Sequence, residues 1–391
     1  MTLQEPFNGI ADYRKGAAKR YGLSEVLVMA VCAILCDCDD WTDVADWCVE
    51  QQDWLAKYLH LPNGTPSHDT FSDIFRTIDG DAFELNFRAW VHELVGEPKG
   101  VIALDGKTLR GSGDKEEVKN RAKETKETKQ NKQGKSAIHL VSAYSTELGI
   151  TLAHEGSSGK GNELVAIKSL LDTLFLKGTI VTIDALGCQK NIAKQIIDKN
   201  ADYVLAVKNN QKTLAMHIEE FFITAKECAY KNLPVQQQKK VEKDHGRIET
   251  RHAVFVSDVS WMDKDLRDPW AGLGGVGFIE AEVEKGTQIT KERRYFIVSK
   301  GIKTVAQFAN AVRAHWGVES MHWTLDVIFG EDHCRVRCGH GARNLAVARK
   351  FALGLFKQDN QFSERSLKRR RKLASRRDSY RESILGFMTI A

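Results

Sequence analysis

The pattern of apolar and polar positions divides the chain into a helical first part and an alternating second part. Within residues 1–95, apolar residues recur every three or four positions, as in Phe71, Ile74, Phe75 and Ile78. This spacing predicts amphipathic helices. From residue 101 onward, short apolar runs alternate with helical segments. Such alternation is typical of an α/β domain.

Five apolar runs predict the strands of one sheet. They are VIALD, SAIHLVSAYS and ITLAHEGS, followed after a helical segment by TIVTID and after another by DYVLAVK. Between about 230 and 300 the sequence is rich in strand-forming residues, as in RIETRHAVFVSDVSW and GVGFIEAEVEK. That block is predicted to pack against the sheet or to extend it, and TVAQFANAVRAHWGVESMHWTLDVIF then restores a long helical pattern. The expected fold class is a mixed α/β sheet with flanking helices.

The most apolar stretch, VLVMAVCAIL at 27–36, is about half of the ~20 residues that a membrane span needs. It therefore predicts a buried helix. The N-terminal sequence MTLQEPFNGI has neither the basic start nor the apolar run of a signal peptide, so a cytoplasmic location is expected. The eight irregularly spaced cysteines do not resemble a disulfide framework.

The segment PNGTPSHDTFSDIFRTID predicts a short helix that begins after a Pro/Gly turn. Ser67, His68, Thr70 and Arg76 occupy the face opposite its apolar stripe. Two interpretations remain open. The helix is either the DNA-contacting second half of a helix-turn-helix or an ordinary amphipathic helix in a small bundle.

Charge is unevenly distributed, although the net charge is only +5. The segment FSERSLKRRRKLASRRDSYRESILG carries nine Lys/Arg against three Asp/Glu. It is either a solvated tail or a segment attracted to nucleic-acid phosphates. Residues 111–135 are also highly charged and contain few aliphatic side chains, which predicts a flexible loop or hairpin tip.

Two apolar runs end on an aspartate in the same way. VIALDGK contains Asp105, and IVTIDAL contains Asp184. Strands that end at the same edge of a sheet bring such carboxylates together, and their mutual repulsion is costly unless a cation lies between them. Mg²⁺ and Mn²⁺ prefer oxygen ligands of this kind, and a pair of such ions catalyses phosphoryl displacement.

The long helical pattern offers a third acid. His315, Glu319, His322 and Asp326 lie along a single helical stripe, and Trp316 and Trp323 form a neighbouring apolar seam. Burial of the tryptophan seam against the sheet would direct the polar stripe toward the edge where the two aspartates lie. Glu319 is then the best-placed third ligand.

Several blocks together resemble the signature sequences of DDE insertion-sequence transposases. They are VIALDGKTLRGS, IVTIDALGCQK followed by YVLAVKNNQ, HGRIETR, and RAHWGVESMHWTLDVIFGEDHCRVR. The chain is most similar to the H-repeat-associated group, which is linked to Rhs elements. The resemblance extends from the helical N-terminus to about residue 350.

The resemblance implies an RNase-H-like catalytic domain in which Asp105, Asp184 and Glu319 bind metal. In the wider class a Tyr, an Arg and a Lys accompany the glutamate on the last helix, whereas Val312, His315 and Asp326 occupy those places here. The implied organisation is a helical N-terminal module over 1–95, a catalytic core over 96–228 and 301–358, a β-rich insertion over 229–300 and a basic C-terminal tail over 359–391.

On this interpretation some polar side chains are candidates for contacts to DNA phosphates. The candidates are Lys107, Arg110, Lys208, Asn209, Asn210, Gln211 and His315. The expected partner is double-stranded DNA, namely the element's terminal repeats and the target, bound by a homodimer without any membrane association. The expected cofactors are two Mg²⁺ or Mn²⁺ ions.

The expected activity is cutting of the element ends and strand transfer by two-metal phosphoryl transfer. Two alternatives remain open at this point. One is a metal-dependent nuclease without strand transfer, and the other is a catalytically decayed or domesticated DNA-binding protein.

Overall fold

The computed structural model describes residues 5–113, 136–157, 160–231, 233–244 and 247–386. Most of the charged segment 111–135, for which the sequence predicts a loop, lies outside the described residues. The described chain combines many helices with a nine-stranded mixed sheet. The mixed α/β fold class predicted from the sequence is thereby confirmed.

Five helices precede the sheet: α1 (Leu23–Leu35), α2 (Trp41–Glu50), α3 (Gln52–Leu55), α4 (His68–Thr77) and α5 (Gly80–Val95). Residues 26–35 of α1 are all buried, as predicted for the apolar run. No described helix combines the length and the apolar character that a membrane span requires. Three of the other helices, α2, α4 and α5, are capped at their N-termini. The side chains of Asp40, Ser67 and Asp79 accept hydrogen bonds from free N–H groups of the first turn.

Helix α4 buries its apolar face and exposes its polar one, with Phe71, Ile74 and Phe75 inside. The connection from α2 to α4 spans residues 51–67 and contains α3. A helix-turn-helix joins its two helices by a turn of about three or four residues. The connection therefore favours the small-bundle interpretation, and contact between α4 and DNA stays a prediction.

The first five strands are β1 (Val101–Thr108), β2 (His139–Ser145), β3 (Ile150–Ser157), β4 (Ile180–Ile183) and β5 (Asp202–Val207). They lie in the order β3-β2-β1-β4-β5, in which β1, β2 and β3 pair antiparallel whereas β1, β4 and β5 pair parallel. The crossovers contain α6 (Glu163–Thr173) and α7 (Lys190–Asp198), and α8 (Lys212–Glu227) follows β5. The carboxyl ends of β1, β4 and β5 consequently share one edge.

The β-rich segment adds four long strands: β6 (Val235–Asp244), β7 (Arg247–Val256), β8 (Leu273–Lys285) and β9 (Gln288–Ser299), with α9 (Lys264–Arg267) between β7 and β8. Strand β9 pairs antiparallel with β5, from Val204↔Val298 to Val207↔Tyr295. Of the two arrangements predicted for this segment, the structure has the one in which it extends the sheet.

Two long helices then pack on the sheet. Helix α10 (Val305–Val327) begins with a capping box formed by Thr304 and Gln307, and it lies against β1. Helix α11 (Gly341–Gln358) is buried along most of its length, because it packs against α1, α4, α5 and β3. Helix α11 thus joins the N-terminal helices to the sheet at β3.

The basic C-terminal segment is not a solvated tail over its described residues. It forms α12 (Leu367–Arg376) and α13 (Asp378–Leu385), and Arg370, Arg371 and Arg381 are buried. Arg371 Nη2 donates to Ile34 O at 2.7 Å, and the Arg381 guanidinium lies 4.0 Å from the centroid of the Trp54 ring. These arginines therefore attach the C-terminal helices to the N-terminal ones, a role that composition alone did not indicate.

Candidate active site

Strand register brings the two predicted aspartates side by side. The parallel pairing of β1 with β4 ends at Leu104↔Ile183, so Asp105 and Asp184 are the next residues on strands that lie about 4.8 Å apart. One detail of the sequence prediction is wrong. Asp105 does not end its strand, because β1 continues to Thr108 by pairing with β2 after β4 has stopped.

The turn after β4 orients Asp184. Its Oδ1 accepts hydrogen bonds from the Leu186 N–H at 3.0 Å and the Gly187 N–H at 3.4 Å. Desolvation raises the pKa of Asp184, and the nearby carboxylates of Asp105 and Glu163 raise it further. The backbone bonds oppose this shift without cancelling it. Negative charge at this edge is therefore in excess of the local positive charge.

Glu163 is a carboxylate at the site that the sequence analysis missed. It is the first residue of α6, and its Oε2 lies 3.1 Å from His139 Nε2. A Cβ placed on Gly106 would overlap Glu163 Oε1, so the glycine allows this close approach. The sequence signal was available, since Glu163 is an acid in the first turn of the helix that follows β3.

The polar stripe of α10 faces β1. His322 Nδ1 lies 3.3 Å from Asp105 Oδ2, and one turn further along the helix Asp326 forms an ion pair with Lys107. Asp105 and Lys107 are two residues apart on one face of β1, which spans about the same distance as one helical turn. The two contacts fix the register of α10 on β1.

The tryptophans of α10 do not form a buried seam against the sheet, and this prediction is wrong. Trp316 and Trp323 are 41% and 59% exposed, and the contact of the Trp316 ring is with the Arg294 guanidinium of β9 at 5.3 Å. The helix instead buries Phe308, Ala311, Val318, Met321 and Leu325. The polar stripe occupies the position predicted for the tryptophan seam because Asp105 and Lys107 on β1 supply it with charged partners.

His315 links the third predicted acid to the other two. The imidazole is largely buried, and its Nδ1 lies 3.0 Å from Thr182 Oγ1 on β4. Burial lowers the pKa of His315, whereas the charges of Asp105, Glu319 and Asp184 act in the opposite direction. The charges of all three acids thus act on one side chain. Glu319 itself is exposed and also interacts with Arg294 on β9.

The donor chemistry at this edge suits divalent magnesium or manganese. All the nearby acidic ligands are carboxylates, and their mutual repulsion is what a hard cation would relieve. Across the described ranges, no three His, Cys, Asp or Glu side chains are already gathered closely enough to hold an ion. The fit therefore rests on ligand type and on excess negative charge.

Lys107 forms ion pairs with carboxylates of the protein. Its ammonium pairs with both Asp326 and Glu331, and its side chain is only 10% exposed. A contact with DNA phosphate, as predicted from the sequence, would have to compete with both pairs. Arg110 is different, because its side chain is 79% exposed and its nearest acid, Asp332, is 3.4 Å away.

The segment after β5 is hydrogen-bonded to the turn that orients Asp184. The Asn210 side-chain amide donates to Ala185 O, and Gln211 Nε2 donates to Cys188 O at 3.0 Å. The structure therefore gives these two residues a positioning contact that sequence reasoning did not foresee. Lys208 and Asn209 are exposed beside them.

Comparison with known proteins places the chain in a family. Residues 96–355 match the family model described as "Transposase DDE domain", and residues 4–91 match "DDE_Tnp_1-associated". The putative transposase YncI of Escherichia coli O157:H7 is 38% identical, over 98% of this chain and 94% of the relative. The H repeat-associated putative transposase YhhI of E. coli K12 is 35% identical, over 98% and 97%.

The chain therefore belongs to the family of transposases with a DDE domain. Its relatives over nearly the full length include an H repeat-associated member, so the resemblance inferred from the signature blocks is confirmed. A solved piggyBac transposase synaptic complex with hairpin DNA is 12% identical, with a TM-score of 0.40 over 97% of this chain and 74% of the other. The structural similarity between the two chains is therefore low.

Proposed function

We propose that the chain is an active DNA transposase, which cuts DNA at the ends of its element and transfers the freed 3′ ends to target DNA. The proposed catalytic acids are Asp105, Asp184 and Glu319, on an RNase-H-like core formed by β1 to β5. One observation carries the proposal. Acids separated by 79 and 135 positions in the sequence all act electrostatically on the His315 imidazole, which lies 3.0 Å from Thr182 on β4.

These acids would hold two divalent cations, Mg²⁺ or Mn²⁺. When bound, such ions activate the attacking oxygen and stabilise the leaving oxygen of a phosphoryl displacement. Glu163 adds a fourth carboxylate near Asp105 and Asp184. No serine or tyrosine nucleophile of the chain is required.

The remaining residues of the site hold the acids in position. The Leu186 and Gly187 N–H groups engage Asp184 Oδ1 and leave its second oxygen available. His322 faces one oxygen of Asp105, and the pair of Asp326 with Lys107 keeps α10 in register, so that Glu319 is carried to the same edge.

Exposed residues around the edge are the proposed contacts to the DNA backbone. Arg110 and Lys208 carry accessible positive charges, and Asn210 and Gln211 adjoin Asp184 through its turn. His315 is less accessible, and the charges of the three acids act on its imidazole, so it would contact the DNA backbone only beside those acids. Assembly as a homodimer on paired DNA ends belongs to the same proposal.

The test uses the purified chain, Mg²⁺ and linear DNA that carries the inverted repeats flanking the coding sequence. We expect nicking at the repeat ends and, with a plasmid added, covalent joining of the 3′ ends. Glu319→Gln should abolish both reactions and leave DNA binding unchanged. Glu220→Gln, at an exposed position on α8, is the matched control and should retain both.

The products distinguish the alternatives. Nicking without joining would indicate a nuclease instead of a transposase. DNA binding without nicking would indicate a catalytically decayed protein. Undiminished nicking by Glu319→Gln would contradict the assignment of the catalytic acids.

A further inference from the structure

Helix α12 presents an exposed basic face, which we call the α12 basic face. It consists of Lys368, Arg369, Lys372 and Arg376, all exposed to solvent. At 100° per residue these four side chains lie within about one quarter to one third of the helix circumference. The inward face of the same helix carries Arg370 and Arg371, whose charges are bound by protein groups.

The α12 basic face has no compensating carboxylates of its own. None of its four side chains forms an ion pair with any residue that the structure describes. Lys368 and Lys372 act electrostatically on Asp37, but that carboxylate already pairs with Arg371 at 3.3 Å. Four neighbouring cations without partners repel one another, and an anionic surface would relieve that repulsion.

Some other cations at the surface are paired. Lys194 pairs with Asp198, Lys291 with Glu282, and Arg294 with Glu292, at 2.6 to 2.7 Å. In these pairs the positive charge is neutralised locally, as is usual for a solvated surface. Single exposed lysines such as Lys226 and Lys300 also form no ion pair with a described residue, so the distinctive feature of the α12 basic face is that four unpaired cations lie together on one side of one helix.

The position of α12 relates this face to the catalytic acids. The Arg371 guanidinium donates to Ile328 O at the C-terminal end of α10, so α12 lies beside the end of the catalytic helix. Nine residues separate Glu319 from Ile328, which corresponds to about 13 Å along the helix. That length equals about four base pairs of B-DNA, and the outward face of α12 lies one helix diameter, ~10 Å, beyond the Arg371 contact.

We propose that the α12 basic face binds the sugar–phosphate backbone of duplex DNA that flanks the strand held at the catalytic acids. The inference rests on the proposed function, since it takes DNA as the substrate. Contacts of this kind position a duplex without reading its sequence. The buried arginines of α12 hold the helix in place, and its outward cations meet the phosphates.

The experiment measures the affinity of the full chain for an element-end duplex as a function of salt concentration. The variant is Lys368→Gln/Arg369→Gln/Lys372→Gln/Arg376→Gln. The control, Lys226→Gln/Lys231→Gln/Lys264→Gln/Lys300→Gln, removes four exposed lysines and the same formal charge from a different surface. Circular dichroism and thermal unfolding of all three proteins verify that the fold is retained.

We expect the slope of log affinity against log salt to decrease by about 2 to 4 in the α12 variant, since each lost phosphate contact contributes about one. The control should keep the slope of the parent. Trimming the duplex to about three base pairs on one side of the cut should lower the DNA affinity of the parent to that of the α12 variant, because the shortened DNA no longer reaches α12.

The outcomes separate the two proposals. If the parent binds and nicks DNA but the α12 variant has the same salt slope, this inference is overturned and the proposed function stands. If the parent neither binds nor nicks DNA, both are overturned. A variant that loses self-association, with unchanged DNA binding, would assign the face to a second copy of the chain and would likewise overturn the inference.

Discussion

Buried charge has opposite surroundings in two regions of the molecule. At the contact between the C-terminal and N-terminal helices, Arg371 is fully buried, and Asp37, Asp39 and backbone carbonyls surround it. At the edge where the pairing of β1 with β4 ends, Asp105 and Glu163 both act electrostatically on Asp184, and the pKa of Asp184 is raised by desolvation and by these acidic neighbours. Charge is matched in the first region and in excess in the second.

The difference distinguishes charges that stabilise the fold from charges that indicate a binding site. A matched buried charge holds elements together, and removing either partner is costly. An unmatched group of like charges destabilises the folded chain unless something outside it binds there. The two regions should therefore respond to substitution with opposite signs, and this can be measured as the free energy of unfolding.

The largest effect is expected for Arg371→Leu. The change leaves Asp37 and Asp39 without their buried partner and removes bonds to two carbonyls, so stability should fall by about 3–5 kcal/mol in urea denaturation. Its neighbour Lys372, exposed on the same helix, is the control, and Lys372→Leu should stay within about 0.5 kcal/mol. Equal effects for both would remove the distinction between the faces of α12.

Lys107→Met should have the next largest effect. It leaves the carboxylates of Asp326 and Glu331 together without their cation, at an expected cost of about 2–4 kcal/mol. Because the register of α10 on β1 is loosened, DNA nicking should also slow while DNA binding is retained. Arg110→Met, at an exposed position, should leave stability within about 0.5 kcal/mol. A loss of DNA binding by Lys107→Met with unchanged stability would instead favour the phosphate contact predicted from the sequence.

Asp184→Asn should change stability in the opposite direction. It removes one of three repelling carboxylates but keeps the side-chain oxygen that accepts the Leu186 N–H, so stability without Mg²⁺ should rise by about 0.5–1 kcal/mol. Nicking should fall at least about 1,000-fold, or ~4 kcal/mol. The control Asp198→Asn loses only an exposed pair with Lys194 and should not be stabilised. A clear loss of stability in Asp184→Asn would show that the edge carries no excess charge.

Trp323→Ala should have the smallest effect, within about 0.5 kcal/mol, because most of its side chain faces solvent. Met321→Ala, two residues away and buried, should cost about 2–5 kcal/mol. The same denaturation series measures both. The reverse order would restore the buried tryptophan seam that the sequence predicted.

Some of this molecule could be predicted from local sequence, and the reasons are physical. The runs before Asp105 and Asp184 are short, apolar and followed by turns, and parallel strands of that kind end at one edge. The length of α10 follows from its periodicity. The presence of α4 likewise follows from its amphipathic spacing and from the Pro/Gly turn before it.

Other features depend on partners distant in the sequence. Trp316 and His322 lie on adjoining faces of α10, and the charged partners on β1, together with the buried apolar residues of the helix, decide which face is turned inward. Lys107 resembles a surface cation until α10 supplies Asp326. Basic residues occupy both faces of α12. Which of them are buried depends on where α1 lies.

The buried arginines also have a consequence for folding during synthesis. Arg371 and Arg381 bond to Ile34 and Gln51, groups more than 300 positions earlier in the chain. The first helices can therefore leave the ribosome long before the guanidinium groups that complete their packing exist. Until then, the carbonyl of Ile34 and the rings of Trp47 and Trp54 lack these guanidinium partners.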